Sequence, residues 1–136
     1  MAKKVFLDTN IVADVIYGAR ARHKDAMRLL ERLILDDYDI CVSEDMITTL
    51  YYISKDKTTA LEFFRNVVFI DWEILPFNMG MLALGIEMSL ENGLDLEDIL
   101  QCLCAKNGGC TLLITNDKKF FDCGIEILSV EKFLKQ

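Results

Sequence analysis

Two apolar runs in this chain end in the same chemistry. Val5-Phe6-Leu7 leads directly into Asp8-Thr9-Asn10, and Leu113-Ile114 leads into Thr115-Asn116-Asp117. A short unbroken apolar run with polar boundaries reads as a strand buried on both faces, the pattern of a parallel sheet. Open sheets of that kind bind ligands at the carboxyl edge of their strands. If the two strands are neighbours, Asp8 and Asp117 lie close together at that edge. Carboxylates there are costly to bury unless something pairs with them. The two runs therefore restrict the fold to α/β and point to the chemistry of clustered acids.

The rest of the chain supplies the alternating elements such a sheet needs. Residues 11–17 continue as a helix capped by Thr9 or Asn10 and ending near Gly18, and residues 22–36 carry the i, i+3, i+4 apolar spacing of an amphipathic helix. Residues 40–43 read as a second strand, 46–54 and 59–67 as helices, and 67–72 as a third strand. A helix over 77–91 stops at Asn92-Gly93, and another opens with Asp95 as its N-cap. Residues 110–115 form the fourth strand, 118–121 a helical turn, 125–128 a weak fifth strand and 130–134 a closing helix. Strands separated by helices imply βαβ units, hence a mostly parallel sheet with helices on both faces. With 136 residues and no linker or repeat, the whole of 1–136 is expected to be a single domain.

Composition narrows the functional classes. An apolar content of 52% with one Pro and seven Gly excludes a disordered or loop-rich chain. The net charge of −7 disfavours nucleic acid or anionic membrane as a partner for the bulk surface, so a polyanion would need a local positive feature or a metal. Neither a signal peptide nor a membrane span is legible, and a cytoplasmic location is expected. Five cysteines, an odd number without a CxxC, fit free thiols in a reducing compartment, several of them as small core residues. A single histidine, His23, with no cysteine beside it gives no zinc motif.

A third acid joins the first two. Asp98 opens the helix that leads into the fourth strand, so it faces the same edge as Asp8 and Asp117. Hard oxygen donors, few in number, suit Mg2+ or Mn2+, and such an ion can orient a phosphate and activate water for hydrolysis. Asp95 and Glu97 also sit in this first turn, where acids suit the helix dipole, and Glu44 with Asp45 opens an earlier helix. These are secondary candidates. Lys118 and Lys119, beside Asp117, are candidates for phosphate contacts, and Arg20 to Lys24 forms a basic loop.

The segments Leu7-Asp8-Thr9-Asn10, Glu97-Asp98-Ile99-Leu100-Gln101-Cys102-Leu103-Cys104-Ala105 and Thr115-Asn116-Asp117-Lys118-Lys119-Phe120 together resemble the PIN domain, in order and separation, over almost the whole chain. The resemblance implies a three-layer α/β/α sandwich with a five-stranded sheet of order 3-2-1-4-5. It implies a Mg2+- or Mn2+-dependent endoribonuclease and, as in small prokaryotic members, the toxin of a toxin–antitoxin pair: a homodimer with RNA as substrate and an antitoxin protein as partner. Asp8, Asp98 and Asp117 match the family's metal-binding acids. Thr115 matches a hydroxyl residue supporting the first of these, and Asn10 a polar residue beside it. One position departs. A further family acid, on the helix after the second strand, falls at Thr49 here, with Glu44 and Asp45 about a turn away. A subgroup of the family lacks that acid, and its absence motivates an alternative reading, a catalytically degenerate PIN fold serving as a binding or regulatory module.

Overall fold

Residues 3–136 are described by the computed structural model. The strands are β1 (Lys3–Leu7), β2 (Tyr38–Ser43), β3 (Glu73–Leu75), β4 (Leu112–Ile114) and β5 (Glu126–Leu128). All pair in parallel, in the order β3-β2-β1-β4-β5. The helices are α1 (Thr9–Ile16), α2 (His23–Leu35), α3 (Asp45–Ile53), α4 (Lys57–Phe63), α5 (Phe69–Asp71), α6 (Met79–Asn92), α7 (Leu96–Asn107) and α8 (Val130–Leu134), with a π-helical turn, Phe64–Val68, joining α4 to α5. This is the expected three-layer sandwich.

Central β1 pairs with both β2 and β4, Val5 lying opposite Ile40 and Leu112. Successive side chains along a strand point to opposite faces. Val5, Leu7, Ile40, Val42, Leu112 and Ile114 accordingly pack on one side with Ile11, Leu29, Leu33 and Leu50 of α1–α3 and Phe133 of α8. Phe6, Cys41 and Leu113 pack on the other with Met81 of α6 and Cys104 and Ala105 of α7. The two outer helices approach closely at Gly85, where an added Cβ would lie 2.9 Å from the Leu100 side chain. Both apolar faces are thus covered, and what remains for ligands is the carboxyl edge of the sheet. Among the described residues, no helix is long and apolar enough to cross a membrane.

Four local expectations are corrected. Residues 67–72 are not the third strand; helix continues from α4 to Asp71 and β3 follows at Glu73–Leu75. The run is apolar because Val68 and Phe64 bury against the first sheet face, and a short apolar run does not by itself distinguish strand from helix. Residues 118–121 do not form a helical turn; Lys118 and Lys119 make a turn closed by the Phe120 amide donating to the Asp117 carbonyl (3.2 Å), with the Asp117 carboxylate accepting from the Lys119 amide (2.9 Å). The N-cap of α1 is Asp8, not Thr9 or Asn10, and its carboxylate does not cap because it is turned toward Thr115. Cysteine usage is corrected last. Cys102 on α7 and Cys123 in the loop before β5 form a disulfide, their Cα atoms 6.2 Å apart across 21 residues of sequence, while Cys41, Cys104 and Cys110 are free and buried. Only tertiary packing brings that pair together, so spacing alone did not reveal it.

Candidate active site

β1 and β4 lie side by side and end together. The Asp8 amide donates to the Ile114 carbonyl (3.1 Å), which aligns the two strand ends. Thr115 follows β4 immediately, and its Oγ1 donates to Asp8 Oδ2 (2.7 Å) in a buried contact. The same oxygen accepts from the Asp117 amide (3.1 Å). One hydroxyl thus ties the first acid to the backbone of the last, 109 positions apart. Asn116 faces away and stitches the loop to α8, its Oδ1 accepting from the Val130 amide (3.1 Å).

α7 brings the third acid. Asp95 is its N-cap, as expected, accepting from the Asp98 amide (3.0 Å). Glu97 and Asp98 occupy the first turn, and Gln101 the next. The Gln101 Nε2 donates to Glu97 Oε1 (3.3 Å), and its amide also eases ionisation of the Asp8 carboxylate. Gln101 is only 3% exposed, and its Oε1 is a buried oxygen with no hydrogen-bond partner.

The acids perturb one another. Burial pushes the Asp8 carboxyl above the usual range, against the pull of Thr115 and Gln101, and the Asp117 charge adds to the rise. Asp98 is pushed up to about 6, first by desolvation and then by Asp95, Asp117, Asp8 and Glu97. Partial burial raises Glu97 as well, followed by repulsion from Asp8, Asp45 and Asp95. Like charges crowded in low dielectric oppose ionisation. No ion pair among the described residues involves Asp8, Glu97, Asp98 or Asp117.

Two clefts meet at Asp117. The first, of about 500 Å3, is lined by Asp95, Glu97, Asp98, Asp117, Lys119 and Phe121 among others. A second, of about 660 Å3, runs from Thr115 and Asp117 past Lys118 to Arg22, Lys132 and Lys135. Lys119 therefore belongs to the acidic cleft and Lys118 to the second, where Asp14, Asp25 and Glu131 stand among the cations. The remaining candidates lie elsewhere. Asn10 is exposed on the first turn of α1. Glu44 accepts from the Phe77 amide (3.3 Å) after β3. The Thr49 hydroxyl donates to the Asp45 carbonyl (3.1 Å) on α3. The basic loop is partly structural: Arg20 pairs with the buried Asp14 (2.7 Å), and His23 Nδ1 lies 2.8 Å from the Asp14 carbonyl.

Among the described residues no three His, Cys, Asp or Glu side chains are gathered as ready ion ligands. The donor chemistry nevertheless fits a hard divalent cation. It consists of carboxylate oxygens that open into a cleft, where Lys119 also lies but forms no ion pair with them. Gln101 and the Asp14–Arg20 pair escaped sequence reading. The one available signal for Gln101 was its place three residues after Asp98 and four after Glu97, the spacing that puts residues on one helical face.

Comparison with known proteins agrees with this geometry. The PIN domain family profile matches residues 5–125. A protein of Aquifex aeolicus named Ribonuclease VapC1 is 39% identical over 139 residues, covering 99% of this chain and 96% of its own length. A solved structure of VapBC2 from Rickettsia felis, bound to a DNA fragment from its promoter, superposes with a TM-score of 0.70 at 21% identity, over 93% of this chain and 98% of that one. Mycobacterium tuberculosis VapC20, described as a Sarcin-Ricin loop cleaving toxin, superposes with a TM-score of 0.69 at 16% identity, over 89% and 95%. At such identities these two structures establish the shared fold.

Proposed function

The chain belongs to the PIN domain family, and on that premise we propose that it is a divalent-metal-dependent endoribonuclease, the toxin half of a toxin–antitoxin pair. One observation carries the reading: a single buried threonine hydroxyl joins Asp8 to the Asp117 backbone, with Asp98 close enough to both for their charges to raise its pKa. Asp8, Asp98 and Asp117 would hold Mg2+ or Mn2+. When bound, such an ion supplies Lewis acidity toward a phosphate and makes water a stronger acid. Thr115 orients Asp8, so that carboxylate reaches the edge in one rotamer. Lys119 lies in the same cleft as Asp98 and Asp117, where its ammonium can meet phosphate oxygens, and Lys118 extends positive charge into the adjoining cleft. A protein of net charge −7 then needs no basic surface overall, because attraction for RNA is concentrated at the metal and these lysines.

The toxin assignment is supported by the 39% identical Ribonuclease VapC1, and by structural neighbours solved as VapBC assemblies. An antitoxin protein is accordingly the expected partner. The exposed apolar residues of α6, Met79, Ile86 and Leu90, which share one helical face, support homodimerisation, since adjacent exposed apolar side chains mark interaction surfaces. The central test is cleavage of mixed RNA in Mn2+ by wild type and Asp8→Asn. Activity is expected in the first and to fall at least about a hundredfold in the second, the scale on which one electrostatic contributor counts. Equal activity in both would refute the proposal.

A further inference from the structure

The position on α3 that carries a carboxylate in much of the family holds Thr49. The structure places another carboxylate where it can serve. Glu97 sits one residue before Asp98 and lines the same cleft as Asp98 and Asp117. Gln101 connects Glu97 to the centre. Its Nε2 donates to Glu97 Oε1 (3.3 Å), and the same amide lies against Asp8. Leaving Gln101 Oε1 buried without a partner is unfavourable, and an apolar residue of equal length would avoid it. The benefit of a glutamine here must then come from its N–H groups, which face two carboxylates.

We propose that Glu97 supplies the fourth carboxylate of the metal centre in place of the acid absent at Thr49, and that Gln101 is the positioning residue that holds it beside Asp8. This rests on the metal-dependent reading above. The arrangement gives one helix two ligands, Glu97 and Asp98, and makes Gln101 the link through which the α7 acids and the β1 acid keep a common orientation.

Manganese binding, measured by titration calorimetry, tests this apart from turnover. Wild type is expected to bind Mn2+ saturably. Glu97→Gln is expected to bind at least about tenfold more weakly, and Gln101→Met, which keeps the volume but loses the N–H groups, about 10- to 100-fold more weakly. Gln101→Met should also unfold in EDTA at the wild-type temperature or above it, because a buried orphan oxygen is removed; a purely structural glutamine would give a lower temperature. In the Glu97→Gln background, Thr49→Glu should restore both Mn2+ affinity and RNA cleavage. Wild-type affinity in Glu97→Gln would overturn the proposal while leaving the nuclease reading intact, as would loss in Glu97→Gln with no recovery on adding Thr49→Glu. Absence of Mn2+ binding by wild type would overturn both.

Discussion

Removing one charge from the acidic cluster should make the metal-free protein more stable, and the size of the gain can be worked out. The Asp98 carboxyl is raised from 3.8 to about 6, with desolvation the leading cause and four neighbouring carboxylates adding to it. A group whose pKa rises on folding binds its proton more tightly in the native state. Its favourable contribution is complete below the unfolded value of 3.8 and is lost as pH climbs through about 6. The full interval corresponds to about 3 kcal/mol at 1.36 kcal/mol for each tenfold change. Asp98 is only partly buried, so solvent screening reduces this to about 1 kcal/mol. Asp98→Asn cannot titrate and so escapes the loss. In EDTA, the stability of Asp98→Asn relative to wild type should therefore rise by about 1 kcal/mol between pH 4 and pH 7.5. Any fixed effect of the substitution, such as loss of an acid from the first helical turn, cancels in that comparison. Urea unfolding can be followed by Trp72, the single tryptophan, which stacks edge-to-face on Phe63. Saturating Mn2+ should reverse the order, since an ion at a hundred times its dissociation constant stabilises its binder by about 2.7 kcal/mol. A difference that stays flat with pH, or that moves against the variant as pH rises, would refute the electrostatic account.

The packing and covalent framework give three further expectations. Leu113→Ala, at a fully buried position of β4 against α7, should lower stability by about 2–5 kcal/mol in denaturant unfolding, and a smaller loss would show that α7 can collapse onto the gap. Gly85→Ala places a methyl 2.9 Å from Leu100 at the α6–α7 crossing, and should cost about 1–3 kcal/mol despite the better helix propensity of alanine; a stabilised variant would mean the two helices are free to part. Reducing the Cys102–Cys123 bond, which spans 21 residues, should lower the unfolding free energy by about 3 kcal/mol, and Cys102→Ala should make the protein insensitive to dithiothreitol. A wild type whose melting is unchanged by reductant would argue that the crosslink contributes nothing to stability.

Legibility in the sequence followed the range of the interactions involved. Strand ends at Asp8 and Thr115, the helix from Asp95, and the amphipathic α2 are set by local patterns of burial and capping, and they read correctly from residues alone. The PIN resemblance extended this to strand order, because Asp8, Asp98 and Asp117 make chemical sense only if β1 and β4 are neighbours. Residues 67–72 were misread because burial of Val68 is a tertiary fact that leaves the same apolar trace in a helix as in a strand.

What the amino-acid order alone determined, then, was the alternation of elements and the delivery of three acids to one sheet edge. Packing decided the rest. The Thr115 hydroxyl reaches Asp8 across 107 positions, Cys102 meets Cys123 outside any motif, and the buried Gln101 side chain faces Glu97 and Asp8. Each depends on two segments docking at a fixed height and rotation. Hydrogen bonds and disulfides require that geometry, whereas hydrophobic periodicity specifies only which face is buried.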